Sequence, residues 1–180
     1  MATKLLPPPL LIGSQRAFSI SSFWEGRAVT TTAPMERRLL NLVLPPWQRE
    51  FTWTEAQQVR FIEGVFLGLN VGSYVVNGRD YETNGDDKPM SGWLIDGQQR
   101  ITSIARFIND EIAIFGNIHY SELPLGEKRR RFDNIVFPCV ELEYQEDENL
   151  LKELYLRLNF GGTAHTQADR ELVEKVSIHD

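Results

Sequence analysis

Five consecutive residues, Asp96-Gly97-Gln98-Gln99-Arg100, bring together the side chains and backbone features that phosphate chemistry uses. The apolar stretch Gly92-Trp93-Leu94-Ile95 before them reads as a short strand, and Ile101, Ile104, Ala105 and Ile108 after them recur at helical spacing. The five residues therefore sit where a strand turns into a helix. Gly97 lets the chain turn sharply and approach a ligand closely, while the unpaired N–H groups of a first helical turn and the helix dipole favour an anion there. Arg100 adds a guanidinium fork matched to phosphate oxygens, and Gln98 and Gln99 each donate and accept. Asp96 is suited to hold a hydrated magnesium ion or to orient a nucleophile. The same spacing also fits a plainer arrangement, in which Asp96 caps the helix and pairs with Arg100.

Other chemistry-bearing residues are scattered. His119, His165 and His179 are isolated in sequence and lack the spacing of a metal-ligand set, although His165 follows Gly161-Gly162-Thr163 and could reach a phosphate from there. Cys139 is the only cysteine, so neither an internal disulfide nor a thiolate metal cage can form; in an apolar strand without a neighbouring base it reads as inert. Asp86-Asp87 lies in an Asn-Gly-Asp-Asp context that is turn chemistry first. Trp47, Phe51 and Trp53 could stack a base, but closely spaced aromatics beside a proline pair also suit a core. Lys128-Arg129-Arg130-Arg131 is either a solvated face or a patch that tracks DNA phosphates.

The elements that must position these residues follow from local patterns. Residues 1–34 lack sustained periodicity and are rich in Pro, Ser and Thr, which predicts an extended arm or loosely packed lead-in ahead of one domain over 35–180. Apolar residues crowd between Met35 and Leu44, and Pro45-Pro46 stops any helix and predicts that Trp47-Gln48-Arg49 is extended. Thr54-Glu55-Ala56-Gln57 has the spacing of a capping box, with Val59, Ile62, Val65, Phe66 and Leu69 as the apolar stripe of the helix it starts. Strands are predicted over 73–77, 111–115 and 135–142, the last accepting Pro138 only at an edge or bulge. Leu150, Leu151, Leu154, Tyr155 and Leu158 mark a helix ending at Gly161-Gly162, and Thr166 to Asp169 could cap a last short one.

The composition sets the frame. At 180 residues, 42% hydrophobic and 24% charged, the chain can bury a core of its own and lies away from disordered and fibrous classes. Its net charge of −6 repels nucleic acid overall, so any DNA contact has to be local. The opening apolar run breaks at Pro7-Pro8-Pro9, too short for a signal peptide, and no later stretch approaches a membrane span. A cytoplasmic protein without membrane contact is expected.

Three motifs carry a resemblance to a known family. Leu94-Ile95-Asp96-Gly97-Gln98-Gln99-Arg100-Ile101-Thr102 resembles the signature of the domain of unknown function 262 family. Members of that family include the N-terminal domain of GmrSD-type restriction enzymes, and it falls in the ParB/sulfiredoxin-like superfamily. Leu44-Pro45-Pro46-Trp47-Gln48-Arg49-Glu50-Phe51-Thr52-Trp53 is similar to the segment that precedes the first helix in that family, and Arg157-Leu158-Asn159-Phe160-Gly161-Gly162-Thr163 resembles its late asparagine-glycine segment.

The resemblance implies an α/β (α+β) fold, a compact domain with a small mixed sheet flanked by helices. It further implies a nucleotide site lined by Gln48, Arg49, Gly97, Gln98, Gln99, Arg100, Thr102, Asn159 and His165. In that site Asp96, Arg49 and Arg100 are the catalytic candidates and Asp96 the magnesium ligand. The expected cofactors are Mg2+ and a nucleoside triphosphate (ATP, GTP or CTP), and the expected activity is NTP hydrolysis or phosphoryl transfer in DNA modification, restriction or counter-defence in a phage or mobile-element setting. A non-catalytic module that senses nucleotide or DNA phosphate is the alternative, with a ParB-like nuclease a third. Nucleotide, DNA through Lys128 to Arg131, and a second copy in a homo-oligomer are the expected partners. Longer restriction members carry an HNH-type nuclease domain, whose histidine-rich and asparagine-rich metal site has no counterpart in this sequence.

Overall fold

The computed structural model describes residues 6, 7, 9–160 and 167–178. Strands β1 (Gly13–Ser19), β4 (Tyr74–Val76), β5 (Leu94–Asp96) and β6 (Val136–Leu142) form one mixed sheet in the order β1-β6-β4-β5. β6 runs antiparallel to β1 and parallel to β4, and β4 runs antiparallel to β5. A hairpin of β2 (Arg37–Leu39) and β3 (Leu42–Leu44) lies beside it, tied by the Val43 N–H to Gly92 O at 3.3 Å. The class is α+β.

Side chains leave the sheet alternately, as the two-residue strand period requires. Tyr74, Val76, Leu94, Phe137 and Cys139 enter one core with residues of α2 (Glu55–Phe66) and α3 (Gln98–Ile108). Val75, Ile95 and Leu142 enter another with Leu151, Leu154 and Tyr155 of α5 (Glu148–Phe160) and Val173 of α6 (Gln167–Lys175). Helices thus cover both faces of a small sheet. α2 starts as its capping box predicts: Thr54 accepts from Gln57 N–H, and the Gln57 side chain reaches back to the Thr54 backbone. Among the described residues no helix is long and apolar enough to cross a membrane.

Several local expectations are corrected. From Gly13 on the lead-in is packed rather than loose: Gly13–Ser19 pairs with β6, and Ile20, Phe23 of α1 (Ser22–Glu25) and Val29 are buried. Trp47-Gln48-Arg49 does not run straight on from the prolines, because the Gln48 N–H closes a turn onto Pro45 O at 3.0 Å. Residues 111–115 do not make a strand. Phe115 and Gly116 take positive φ and fold the segment back, leaving one bridge between Ile114 and Ile118, and the burial of Ile112 and Ile114 accounts for its strand-like composition.

Pro138 is not on an edge strand, since β6 lies between β1 and β4. Hydrogen bonds from Ile20 N–H to Ile135 O and from Glu143 N–H to Ile12 O set the alternation along β1 and β6, so Ala17 and Pro138 form a non-hydrogen-bonded pair. The missing N–H therefore faces the β4 side, where pairing begins only at Cys139.

Candidate functional site

β5 ends on Asp96, and Gly97 then takes φ 113° as the N-terminal flank of α3. A Cβ on Gly97 would stand 2.6 Å from Tyr74 Cβ, so glycine is needed here for backbone conformation and for packing on β4. Asp96 does not cap α3, whose N-terminal position is Gly97 with no side-chain cap. The carboxylate of Asp96 instead accepts from Arg100 Nη2 at 2.8 Å. The Ile101 N–H closes the first helical turn onto Gly97 O, which leaves the N–H groups of Gln98, Gln99 and Arg100 without intrahelical acceptors.

The facing wall is the turn after Pro45-Pro46. Gln48 is 4% exposed, its carbonyl accepts from Arg37 Nη2 at 2.7 Å, and its Nε2 donates to Gln98 Oε1 at 3.4 Å. Gln98 Nε2 in turn donates to Arg49 O at 3.0 Å, which fixes the orientation of both amides. Gln99 Oε1 accepts from the N–H groups of Thr52 (3.0 Å) and Trp53 (2.9 Å). Once these bonds are made, Gln48 Oε1 and Gln99 Nε2 remain buried without a partner. Such atoms each cost about 1–3 kcal/mol unless something satisfies them.

Both walls enclose a cleft of about 210 Å3 lined by Gln48, Arg49, Trp53, Asp96 to Arg100 and Asn159. The structure thus gathers eight of the ten expected site residues, Gln48, Arg49, Asp96, Gly97, Gln98, Gln99, Arg100 and Asn159, although the two main segments lie far apart in sequence. Asn159 reaches the cleft from α5, its Nδ2 donating to Tyr155 O at 2.9 Å. Thr102 lies on α3 but does not line the cleft, and His165 lies outside the described residues. The Arg100 guanidinium lies 6.0 Å from the centre of the Phe137 ring, and its Nη1 would touch a Cβ on Gly72, so it is held on three sides.

The aromatics divide. Trp47 is fully buried against Trp93 and Tyr155 and donates through Nε1 to Glu148, whereas Trp53 lines the cleft. Proximity to the prolines in sequence does not separate the two. Glu148 also accepts from Ser177 Oγ and Ile178 N–H, so α5 ties the cleft wall to the last described residues.

Most of the basic run has intramolecular partners. Lys128 stands 4.4 Å above the Tyr120 ring, Arg130 pairs with Glu127 at 3.0 Å, and Arg131 donates twice to Phe66 O at the end of α2. α4 (Leu125–Lys128) widens here into a π-helical turn over Arg129–Asp133, and Arg129 and Arg130 are exposed. Asp87 accepts from Thr30 N–H and lies 3.7 Å from Arg27, away from the cleft. His119 lies on a loop far from α3's N-terminus in sequence, and His179 is outside the described residues. Among the described residues no three His, Cys, Asp or Glu side chains converge as a metal cage, and Asp96 is the one carboxylate lining the cleft.

Comparison with known proteins bears on this geometry. The family model for the GmrSD restriction endonuclease N-terminal domain matches residues 35–136. No curated protein and no solved structure matches. The matched span takes in the turn after Pro45-Pro46 and the whole of α3, hence both main walls of the cleft and more than half of the 180 residues, so the chain belongs to the GmrSD restriction endonuclease N-terminal domain family.

Proposed function

We propose that the cleft binds the phosphates of a nucleoside triphosphate, and that the chain hydrolyses it or transfers its terminal phosphoryl group as part of DNA restriction. One observation carries this: Gln48, Arg49 and the start of α3 meet at a single cleft whose walls hold a buried, unpartnered amide donor, Gln99 Nε2, beside a helix N-terminus. At about 210 Å3 the space is below the roughly 300–1,000 Å3 of pockets that enclose whole drug-sized ligands, so it suits the phosphates, with Trp53 beside it as a surface for the base. Arg49 and Arg100 neutralise phosphate charge, the α3 amides orient the oxygens, and phosphoryl transfer asks chiefly for such positioning.

Asp96, its side chain 31% exposed, is reachable from the cleft and would hold a magnesium ion together with the phosphates of ATP, GTP or CTP. The metal's contribution is to neutralise charge on those phosphates. The ParB/sulfiredoxin-like superfamily and a cytoplasmic setting fit this reading, with DNA contact restricted to exposed cations such as Arg129 and Arg130.

One observation favours binding without turnover: the Asp96 carboxylate is engaged by Arg100 at 2.8 Å. A phosphate-release assay across the nucleoside triphosphates, with magnesium and with and without DNA, separates the readings. Release that vanishes in Arg100→Ala supports catalysis, binding without release supports a sensor, and no binding of any triphosphate overturns both.

A further inference from the structure

A second concavity, of about 240 Å3, opens where α1 leans on the sheet face carrying Tyr74, Val76 and Cys139, and it shares no lining residue with the cleft. Phe18, Phe23 and Tyr74 contribute aromatic rings to its lining. The Phe23 and Tyr74 rings lie 5.1 Å apart, and Phe18 on β1 is 40% exposed. At the hairpin turn Asn41 donates its backbone N–H to Phe23 O at 3.1 Å and its Nδ2 to Ser22 O at 2.8 Å. Those bonds fix the amide, so the buried Asn41 Oδ1, which has no partner, is an acceptor. Arg79 and Arg27 also line the space: Arg79 Nη2 donates to Arg27 O at 2.7 Å, and the Arg27 side chain is 60% exposed. Burial pushes the Cys139 thiol up to about 11 and raises the Tyr74 hydroxyl as well, so both stay uncharged near neutral pH, while Glu141, the carboxylate of this lining, is paired with Arg16 at 3.0 Å.

A ligand complementary to this set is planar and aromatic, carries an N–H for Asn41, and bears an anion for the guanidinium groups. A nucleobase with its attached phosphate has all three features. We propose that this cavity is a second site that takes one nucleotide unit, the base between Phe18 and Tyr74 with an N–H on Asn41 Oδ1, and the phosphate on Arg27 and Arg79. The unit comes either from a free nucleoside monophosphate or from an unpaired position of a DNA strand, since both present the same groups.

Calorimetric titration of the full chain with deoxynucleoside monophosphates in one arm, and with a short single-stranded oligonucleotide in the other, tests this. Val76→Met fills the cavity without removing a hydrogen bond, and Arg79→Gln removes a guanidinium; thermal unfolding confirms that each folds. Arg79→Gln is expected to weaken binding about tenfold or more, the scale of one lost charge-assisted hydrogen bond, and Val76→Met to weaken it by occupying the space the base needs, while Arg100→Ala in the cleft leaves it unchanged. Monophosphate binding identifies the free nucleotide as the source, and binding of the oligonucleotide alone identifies the strand. The proposal is overturned if neither probe binds, if binding survives both Val76→Met and Arg79→Gln, or if Arg100→Ala abolishes it. Val76→Met is also expected to retain triphosphate turnover, so failure at this site is distinguishable from failure at the cleft.

Discussion

Gln48 and Gln98 are joined side chain to side chain at 3.4 Å inside the protein, and through Gln98 Nε2 the bond continues to Arg49 O. This chain of amides makes one wall of the cleft depend on the other. Gln98→Ala strands the Gln48 Nε2 and the Arg49 carbonyl, and should lower stability by about 1–3 kcal/mol. At about 2–4 °C per kcal/mol for a protein of this size, thermal unfolding should show the loss. An unchanged melting temperature would mean that the two walls stand independently.

Arg100 and Asp96 separate binding from chemistry. Arg100→Ala removes a charge-assisted contact to phosphate worth about 1.5–3 kcal/mol, so triphosphate affinity should fall at least tenfold, with turnover falling alongside. Asp96→Asn keeps the side chain's size and removes its charge. It should bind triphosphate within a fewfold of the parent and lose phosphate release. An Asp96→Asn variant that turns over normally would assign Asp96 to holding Arg100 and nothing more.

Gly97 tests the backbone at the junction. Alanine there must take φ 113° and place its Cβ 2.6 Å from that of Tyr74. The left-handed conformation alone costs about 1–2 kcal/mol for a residue with a Cβ, and displacing a buried strand residue adds to it. Denaturant unfolding of Gly97→Ala should show a loss of at least 2 kcal/mol by the sum of these terms, roughly. A smaller loss would mean that β4 yields easily, and with it the placement of α3.

The parts of the cleft that were legible are those whose signal is local. The Thr54 capping box and the strand-glycine-helix pattern around Asp96 each complete themselves within a few residues, and both formed as their spacing demands. β1 was illegible because its pairing partner is β6, at the far end of the chain, and because most of its side chains are exposed, so no buried alternation marks it. Trp47 and Trp53 could not be told apart for a similar reason: only the turn closed by Gln48 N–H on Pro45 O decides which of them faces the core. The glutamines carry no periodic signature. Their pairing across the cleft depends on two segments meeting in space, which composition and spacing do not report.

Cys139 gives a prediction independent of any ligand. It is 1% exposed on β6, opposite Tyr74, and burial lifts its thiol from 9.0 to about 11. The thiolate is the reactive form, so iodoacetamide should label the folded protein far more slowly than the unfolded chain at pH 8. The same shift has a stability consequence. The folded state holds the proton more tightly than the unfolded one, so this contribution is complete below about pH 9 and is lost as the pH rises through about 11. Tyr74, raised in the same direction by burial, extends the decline to higher pH. Denaturation midpoints should therefore fall as the pH rises from about 9 towards 11, and Cys139→Ala should flatten the part of that fall due to the thiol. Equal slopes in parent and variant would show that the thiol does not titrate against folding, and rapid labelling of the native protein would show that the sheet face around Tyr74 opens.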